Sequence, residues 1–147
     1  MSLNKLNLLY RAVVLDHAQH PHHKGEISQV TQKVTLHNPS CGDDIQVFIC
    51  VAQNQISEIS FEGQGCTISQ ASASMMTDVL QGNSVSQALS QCEAFFALTM
   101  GKAIAENQKE ALGDAAVLGS LAEFPMRIKC ATLAWHAAKM ALEGTLK

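Results

Sequence analysis

The stretch Asp43-Asp44-Ile45-Gln46-Val47-Phe48-Ile49-Cys50-Val51-Ala52-Gln53-Asn54-Gln55-Ile56-Ser57-Glu58-Ile59-Ser60-Phe61 decides the fold. Ile45, Val47, Ile49 and Val51 recur at every second position, the period of a strand with one face in a core. A polar turn at Gln53 and Asn54 separates this run from a second β-rich segment, Ile56 to Phe61. With Lys33 to Leu36 before it, the region from Val30 to Phe61 predicts a three-stranded antiparallel meander.

On both sides of the meander the period changes to that of a helix. Upstream, Leu6, Leu9, Tyr10, Val13, Val14 and His17 share a helical stripe that Pro21 cannot continue, so residues 3–20 are expected to form an amphipathic helix. Downstream, Ile68, Ala71, Met75, Met76 and Val79 make a second stripe, closed by Gly82. Ser84 with Gln87 has the spacing of a capping box and opens a third helix, with Val85, Ala88, Leu89, Cys92, Phe95, Phe96 and Thr99 inward. From Lys102 to Phe124 the pattern weakens to one or two short helices broken near Gly113 and Gly119. Pro125 suits the first position of a final helix, with Met126, Cys130, Leu133, Ala137, Met140 and Ala141 on its buried face. The expected fold class is α+β, a small three-stranded antiparallel sheet covered by helices.

The chain has 147 residues, 47% of them hydrophobic, enough to bury about two-thirds of the unfolded surface around one core. A single domain spanning 1–147 is expected. Ten Lys and Arg against thirteen Asp and Glu give a formal charge of −3 without a basic stripe, which argues against nucleic-acid binding. The segment Met1-Ser2-Leu3-Asn4-Lys5 has no continuous apolar run, and no stretch reaches the roughly 18 apolar residues of a membrane span. A cytoplasmic location without a membrane partner is therefore expected. There, the five cysteines, at 41, 50, 66, 92 and 130, would stay reduced.

Three of them have addresses suited to chemistry. Cys41 lies in the turn Asn38-Pro39-Ser40-Cys41-Gly42-Asp43 between predicted strands, Cys66 follows Gly63-Gln64-Gly65 at a helix start, and Cys130 comes early in the last helix. A thiol near a helix N-terminus has its thiolate stabilised by unpaired N–H groups, which favours metal binding or nucleophilic attack. Asp43, two residues from Cys41, can turn its carboxylate to the same centre, and three thiolates with one carboxylate suit Zn²⁺ or iron. The residues alone leave open the other reading, in which these cysteines are inert core and Asp43 and Asp44 only shape a turn. Cys92, on an apolar stripe, and Cys50, within a strand, read as structural. His17, His20, His22 and His23 form the densest histidine cluster. His17 and His20 could share a face for a metal, but interaction with the helix C-terminus is the stronger reading. His37 and His136 read as ordinary residues, and the methionines as core.

Four segments carry a resemblance. Tyr10 to Gly25, Asn38-Pro-Ser-Cys-Gly-Asp43, Gly63-Gln-Gly-Cys-Thr-Ile-Ser-Gln-Ala-Ser-Ala-Ser74 and Phe124-Pro-Met-Arg-Ile-Lys-Cys-Ala-Thr-Leu-Ala-Trp135 occur in the order found in IscU/NifU-like scaffold proteins. The chain resembles this family over nearly its whole length, and its SufU branch most closely. In the IscU branch a histidine precedes the third cysteine, whereas here that position is Lys129, and the Leu112-to-Phe124 segment is typical of SufU-like chains. A charged lysine cannot replace an imidazole ligand.

The resemblance implies a SufE/NifU-like fold and a metal site made by Cys41, Asp43, Cys66 and Cys130, holding one zinc per chain. Iron or a [2Fe-2S] cluster is the alternative. It further implies a sulfurtransferase-like relay in which Cys41 takes persulfide sulfur from a cysteine desulfurase (SufS-like) for cluster biosynthesis, alongside other cluster assembly proteins. The alternative is a scaffold on which a [2Fe-2S] cluster is built. Arg127, close to Cys130 in sequence, could steady anionic sulfur or be a plain surface residue.

Overall fold

The structure, a computed structural model, describes residues 3–146, and side chains are described from residue 8 onward except at Leu9. The expected positions of Leu6 and Leu9 on the first stripe lie outside the described side chains. The chain runs α1 (Leu3–Gln19), β1 (Gln32–Asn38), β2 (Asp43–Ala52), β3 (Gln55–Gln64), α2 (Thr67–Leu80), α3 (Val85–Thr99), α4 (Glu106–Leu112), a 3₁₀ run (Gly113–Glu123) and α5 (Pro125–Thr145).

The alternation in β2 does what its period dictates. Ile45, Val47 and Ile49 are fully buried, and the sheet is an antiparallel meander in the order β1-β2-β3. Val34 faces Val47 on one side and Phe61 faces Val47 on the other, so one register stacks apolar residues across all three strands. Gln53 and Asn54, both at positive φ (54° and 63°), close the β2–β3 hairpin between the paired Ala52 and Gln55. Two such residues make the tight turn whose twist matches the strands. After α1 the chain pairs Lys24 with Phe61 at the free edge of β3 before entering β1, which shields that edge.

Helices α2 and α5 cover the buried face, with α1 against α2 and α3 against α5. Ser84 caps α3 through a reciprocal box with Gln87, and Pro125 occupies the first turn of α5, as the sequence indicates. The core centres on Trp135, stacked on Phe95 with ring centroids 4.0 Å apart. The indole N–H donates to Ser72 Oγ at 3.0 Å, and Ser72 donates to the Ala131 carbonyl.

Three expectations are corrected. Met126 and Met140 are exposed, as is Met100, so the methionines are not uniformly core. The buried face of α5 holds the expected Cys130, Leu133, Ala137 and Ala141 but is wider, taking in Ala131, Ala134, Trp135, Ala138 and Leu142, because alanines allow the helix to approach both the sheet and its neighbour helices. Gly113 does mark a break, but Gly119 does not: it lies inside the 3₁₀ run, where a Cβ would meet Leu98 at 3.0 Å. Its role is close packing against α3. Cys92 is fully buried, as expected, and Cys50 is half-buried in β2.

Candidate metal and sulfur site

Three segments distant in sequence meet at one end of the sheet. The β1–β2 turn brings Cys41, with the Cys41 and Gly42 N–H groups both donating to the Asn38 carbonyl at 3.2 and 2.9 Å. Gly42 sits at φ 72°, a left-handed conformation that glycine adopts without a Cβ clash and that lets the chain re-enter β2 at Asp43. Cys66 is the N-cap of α2, its Sγ accepting the Ser69 N–H at 3.4 Å. Cys130 comes from the second turn of α5 and is 1% exposed.

Asp43 ties these pieces together. Its carboxylate is 2% exposed, an arrangement that requires partners. Oδ1 accepts the Cys66 N–H at 2.9 Å and the Ser69 hydroxyl at 3.1 Å. Oδ2 has only a long contact from Asn38 Nδ2, at 3.4 Å, and so keeps lone-pair capacity for another centre. Asn38 Nδ2 also points at Cys130 Sγ, 3.9 Å away.

Gly65 makes this arrangement possible. A Cβ there would lie 2.4 Å from Ser69 Oγ and 2.5 Å from Asp43 Oδ1, inside any permitted contact. Gly63 is equally constrained, since its φ is 123° and a Cβ would lie 1.9 Å from the Asp44 carbonyl oxygen. The glycines flanking Gln64 therefore let β3 turn into α2 directly beside Asp43.

Cys41 Sγ and Cys130 Sγ are 3.0 Å apart as free thiols, and one ligand atom each from Cys41, Asp43 and Cys130 lies within 4.8 Å of the others. Cys66 falls outside that tight set, with its thiol turned to the Ser69 N–H, yet it is near enough to act on the Cys130 thiol. The Cys130 thiol is pushed far above its ordinary value, chiefly by burial, then by the hydrogen bond its S–H donates to Cys41, with Cys66 and Asp43 nearby adding to the rise. This corrects the expectation of a helix N-terminus activating Cys130, whose place in the second turn puts it beyond the unpaired N–H groups, so burial dominates.

That crowding is the fit test for a metal. Three thiols and a carboxylate, with Cys130 held where burial and like charge oppose its ionisation, form a donor set that a dication would stabilise. Tetrahedral zinc at about 2.3 Å from each sulfur spaces sulfurs by roughly 3.8 Å, so the present separation needs less than about an ångström of adjustment. The bonds to Asp43 Oδ1 orient the carboxylate in the way that outer partners orient metal ligands.

The site opens on a groove of about 1000 Å³ lined by Tyr10, Cys66, Ile68, Phe124 and Arg127 among others. Phe124 is 57% exposed there. Burial raises the Tyr10 phenol above its ordinary value, with Arg127 pulling the other way. Lys129 is exposed.

Residues 9–143 match the family described as NifU-like N terminal domain. The chain belongs to that family. Among curated relatives of this NifU-like chain, the iron-sulfur cluster assembly scaffold protein IscU of Streptococcus pyogenes serotype M1 is 48% identical over 97% of this chain and 88% of its own. The zinc-dependent sulfurtransferase SufU of Bacillus subtilis is 41% identical over 93% and 92%. A solved structure from Fervidobacterium islandicum AW-1, described as a candidate cluster assembly scaffold for the SUF system, superposes with a TM-score of 0.84 at 29% identity, covering 92% of this chain and 98% of that one. The three-stranded sheet with its helices is thus the NifU-like fold, and the chain is a member of the iron-sulfur cluster assembly scaffold family with SufU-type relatives.

His17 is in the last turn of α1 but is 1% exposed, bound to Ser74 Oγ at 2.8 Å and Asp114 Oδ2 at 3.0 Å. Its cluster mates are His22 and Asp78, while His20 is exposed. Spacing within α1 could not reveal partners 57 and 97 residues away.

Proposed function

We propose that this chain is a one-domain sulfur acceptor for iron-sulfur cluster assembly, taking persulfide sulfur from a cysteine desulfurase onto Cys41. The carrying observation is the convergence of Cys41, Asp43 and Cys130 within 4.8 Å, with the Cys66 N–H bound to Asp43. Cys41, Asp43, Cys66 and Cys130 would hold one zinc, which when bound keeps thiols deprotonated yet shielded. The zinc-dependent name of the Bacillus relative and the exposed lysine at 129, where an IscU-type histidine would stand, support this reading.

Cys41 is suited to the transfer because it is half-buried on a turn, whereas Cys130 is enclosed. Its thiolate attacks the outer sulfur of the donor persulfide. The donor S–S bond breaks, its electron pair leaves on the donor cysteine sulfur, and the outer sulfur stays on Cys41 as a persulfide. No net oxidation occurs. Exposed Arg127 stands at the groove to steady the anionic sulfur, and the apolar walls with Phe124 offer a docking surface for the desulfurase. Thiol chemistry of this kind belongs in a reducing cytoplasm. Among the described residues, no helix is long and apolar enough to cross a membrane.

The test is incubation with a cysteine desulfurase and L-cysteine, followed by peptide mass spectrometry. One added sulfur atom on Cys41, lost in Cys41→Ser, supports the relay. The name of the Streptococcus relative favours a second reading, a scaffold for a [2Fe-2S] cluster, which the same sample would reveal as bound iron with acid-labile sulfide. Neither persulfide nor cluster would sink both.

A further inference from the structure

The other end of α2 holds a second set of donors that the sulfur chemistry does not use. Asp78 lies twelve positions beyond Cys66, about 18 Å along the helix axis from the thiol cluster. Here the last turn of α1 delivers His17, the loop after it delivers His22 and His23, and α2 delivers Ser74 and Asp78. One ligand atom each of His17, His22 and Asp78 lies within 4.8 Å of the others. The two imidazole rings have centroids 4.7 Å apart.

The surroundings are those of a prepared site. Asp114 Oδ2 lies 3.0 Å from His17 Nε2, and an ionised carboxylate only accepts, so it fixes the ring proton on Nε2. The Nδ1 lone pair is thereby left on the side of Ser74 and His22. This is the carboxylate–histidine arrangement that orients imidazole ligands toward metals. Without a cation, the Ser74 hydroxyl donates to Nδ1 at 2.8 Å while accepting the His22 N–H at 2.8 Å. Asp78 is flanked by two imidazoles, His22 Nδ1 at 2.5 Å from Oδ2 and His23 Nδ1 at 3.6 Å from Oδ1. The His22 and Asp78 side chains are 45% and 39% exposed, which gives water access, while His17 is buried behind them.

We propose that His17, His22 and Asp78 form a second metal site, one for a first-row transition dication such as Fe²⁺, Co²⁺ or Zn²⁺. Two imidazoles and one carboxylate with the remaining positions open to water are a donor set for these ions, and the imidazoles select against Mg²⁺ and Ca²⁺. The site binds a cation through nitrogen and oxygen alone, so it is chemically distinct from the thiol cluster and stands or falls independently of the sulfur relay.

Cobalt distinguishes the two centres by colour. Titration of Co²⁺ into the metal-free full chain under anaerobic conditions should bind about two ions per chain. One produces intense sulfur-to-cobalt absorption in the near ultraviolet, and the other adds only the weak bands of nitrogen and oxygen ligation. His22→Asn and Asp78→Asn, both at accessible side chains, should each weaken the second ion by tenfold or more while leaving the sulfur-derived absorption unchanged. A thermal melt of each variant verifies that it is folded. Binding of a single cobalt to the wild type overturns the proposal. So does a second cobalt whose affinity ignores both substitutions.

Discussion

Gly65→Ala puts the geometry of the site under a strict test, because a single methyl group is added and the backbone conformation is not at issue. The glycine has no positive φ, so alanine is sterically permitted by the backbone itself. The new Cβ would stand 2.4 Å from Ser69 Oγ, 2.5 Å from Asp43 Oδ1 and 3.1 Å from Asp43 Cγ. Ser69 can rotate away at the cost of its 3.1 Å bond to Asp43, but the carboxylate is walled in and 2% exposed. It must shift and stretch the 2.9 Å bond from the Cys66 N–H.

Hydrogen bonds to a charged group contribute about 1.5–3 kcal/mol each, and partial relaxation recovers some of that, so the expected loss is about 2–4 kcal/mol. For a chain of this size the melting temperature should fall by roughly 5–12 °C. Disturbing the partner that orients the carboxylate should also weaken zinc binding by about 10–100-fold in a chelator competition. Gly82→Ala is the control: nothing lies within 4 Å of its Cβ, but φ is 86°, so it should cost about 1 kcal/mol of strain without touching zinc affinity. Wild-type stability and zinc affinity in Gly65→Ala would refute the placement of Asp43.

Other perturbations probe the core and the ligands separately. Ser72→Ala leaves the buried Trp135 N–H without its acceptor and should cost about 1–3 kcal/mol in chemical denaturation; an unchanged midpoint would contradict the hydrogen-bond chain to Ala131. Burial, with a smaller push from Glu93, raises the Cys92 thiol from 9.0 to about 12. The folded state thus keeps its proton where the unfolded chain loses it, and stability should fall as pH rises from 9 to 12, by up to about 1.4 kcal/mol per pH unit from this residue. Cys92→Ala should flatten that part of the profile, and an identical slope in both proteins would count against the assignment. Asp43→Ala should lower metal retention or alter the alkylation rate of Cys41; if neither changes, Asp43 is not a ligand.

The parts of the fold legible in the sequence are those written in local spacing. The alternation of Ile45, Val47 and Ile49, the Ser84–Gln87 box and Pro125 each encode their element within a few residues, and each element forms. The 3₁₀ run was not legible, because its residues answer to packing: Gly119 is there for contact with Leu98, a constraint set by α3. On α5 the spacing of Cys130, Leu133, Ala137 and Ala141 marks buried positions, but Met126 and Met140 at the same spacing are exposed, and the buried arc widens through alanines whose small size gave no signal. For the site, three of the motifs carry Cys41, Asp43, Cys66 and Cys130, and the structure groups Cys41, Asp43 and Cys130 tightly, while the parts played by Asn38 and Ser69 and the steric need for Gly65 were not legible. Their signal was present in the Asn38 and Gly65 positions of those same motifs, and only three-dimensional proximity gives it meaning. The carboxylate partner of His17, across 97 residues, had no local signal at all.

The central claim is that three thiols and one carboxylate make a single metal centre, and zinc X-ray absorption at one equivalent per chain tests it most directly. We expect a first shell of about three sulfurs at about 2.3 Å and one oxygen at about 2.0–2.2 Å, with a sulfur lost in Cys66→Ser and the oxygen altered in Asp43→Ala. A shell dominated by nitrogen, or one unchanged by either substitution, would contradict the account.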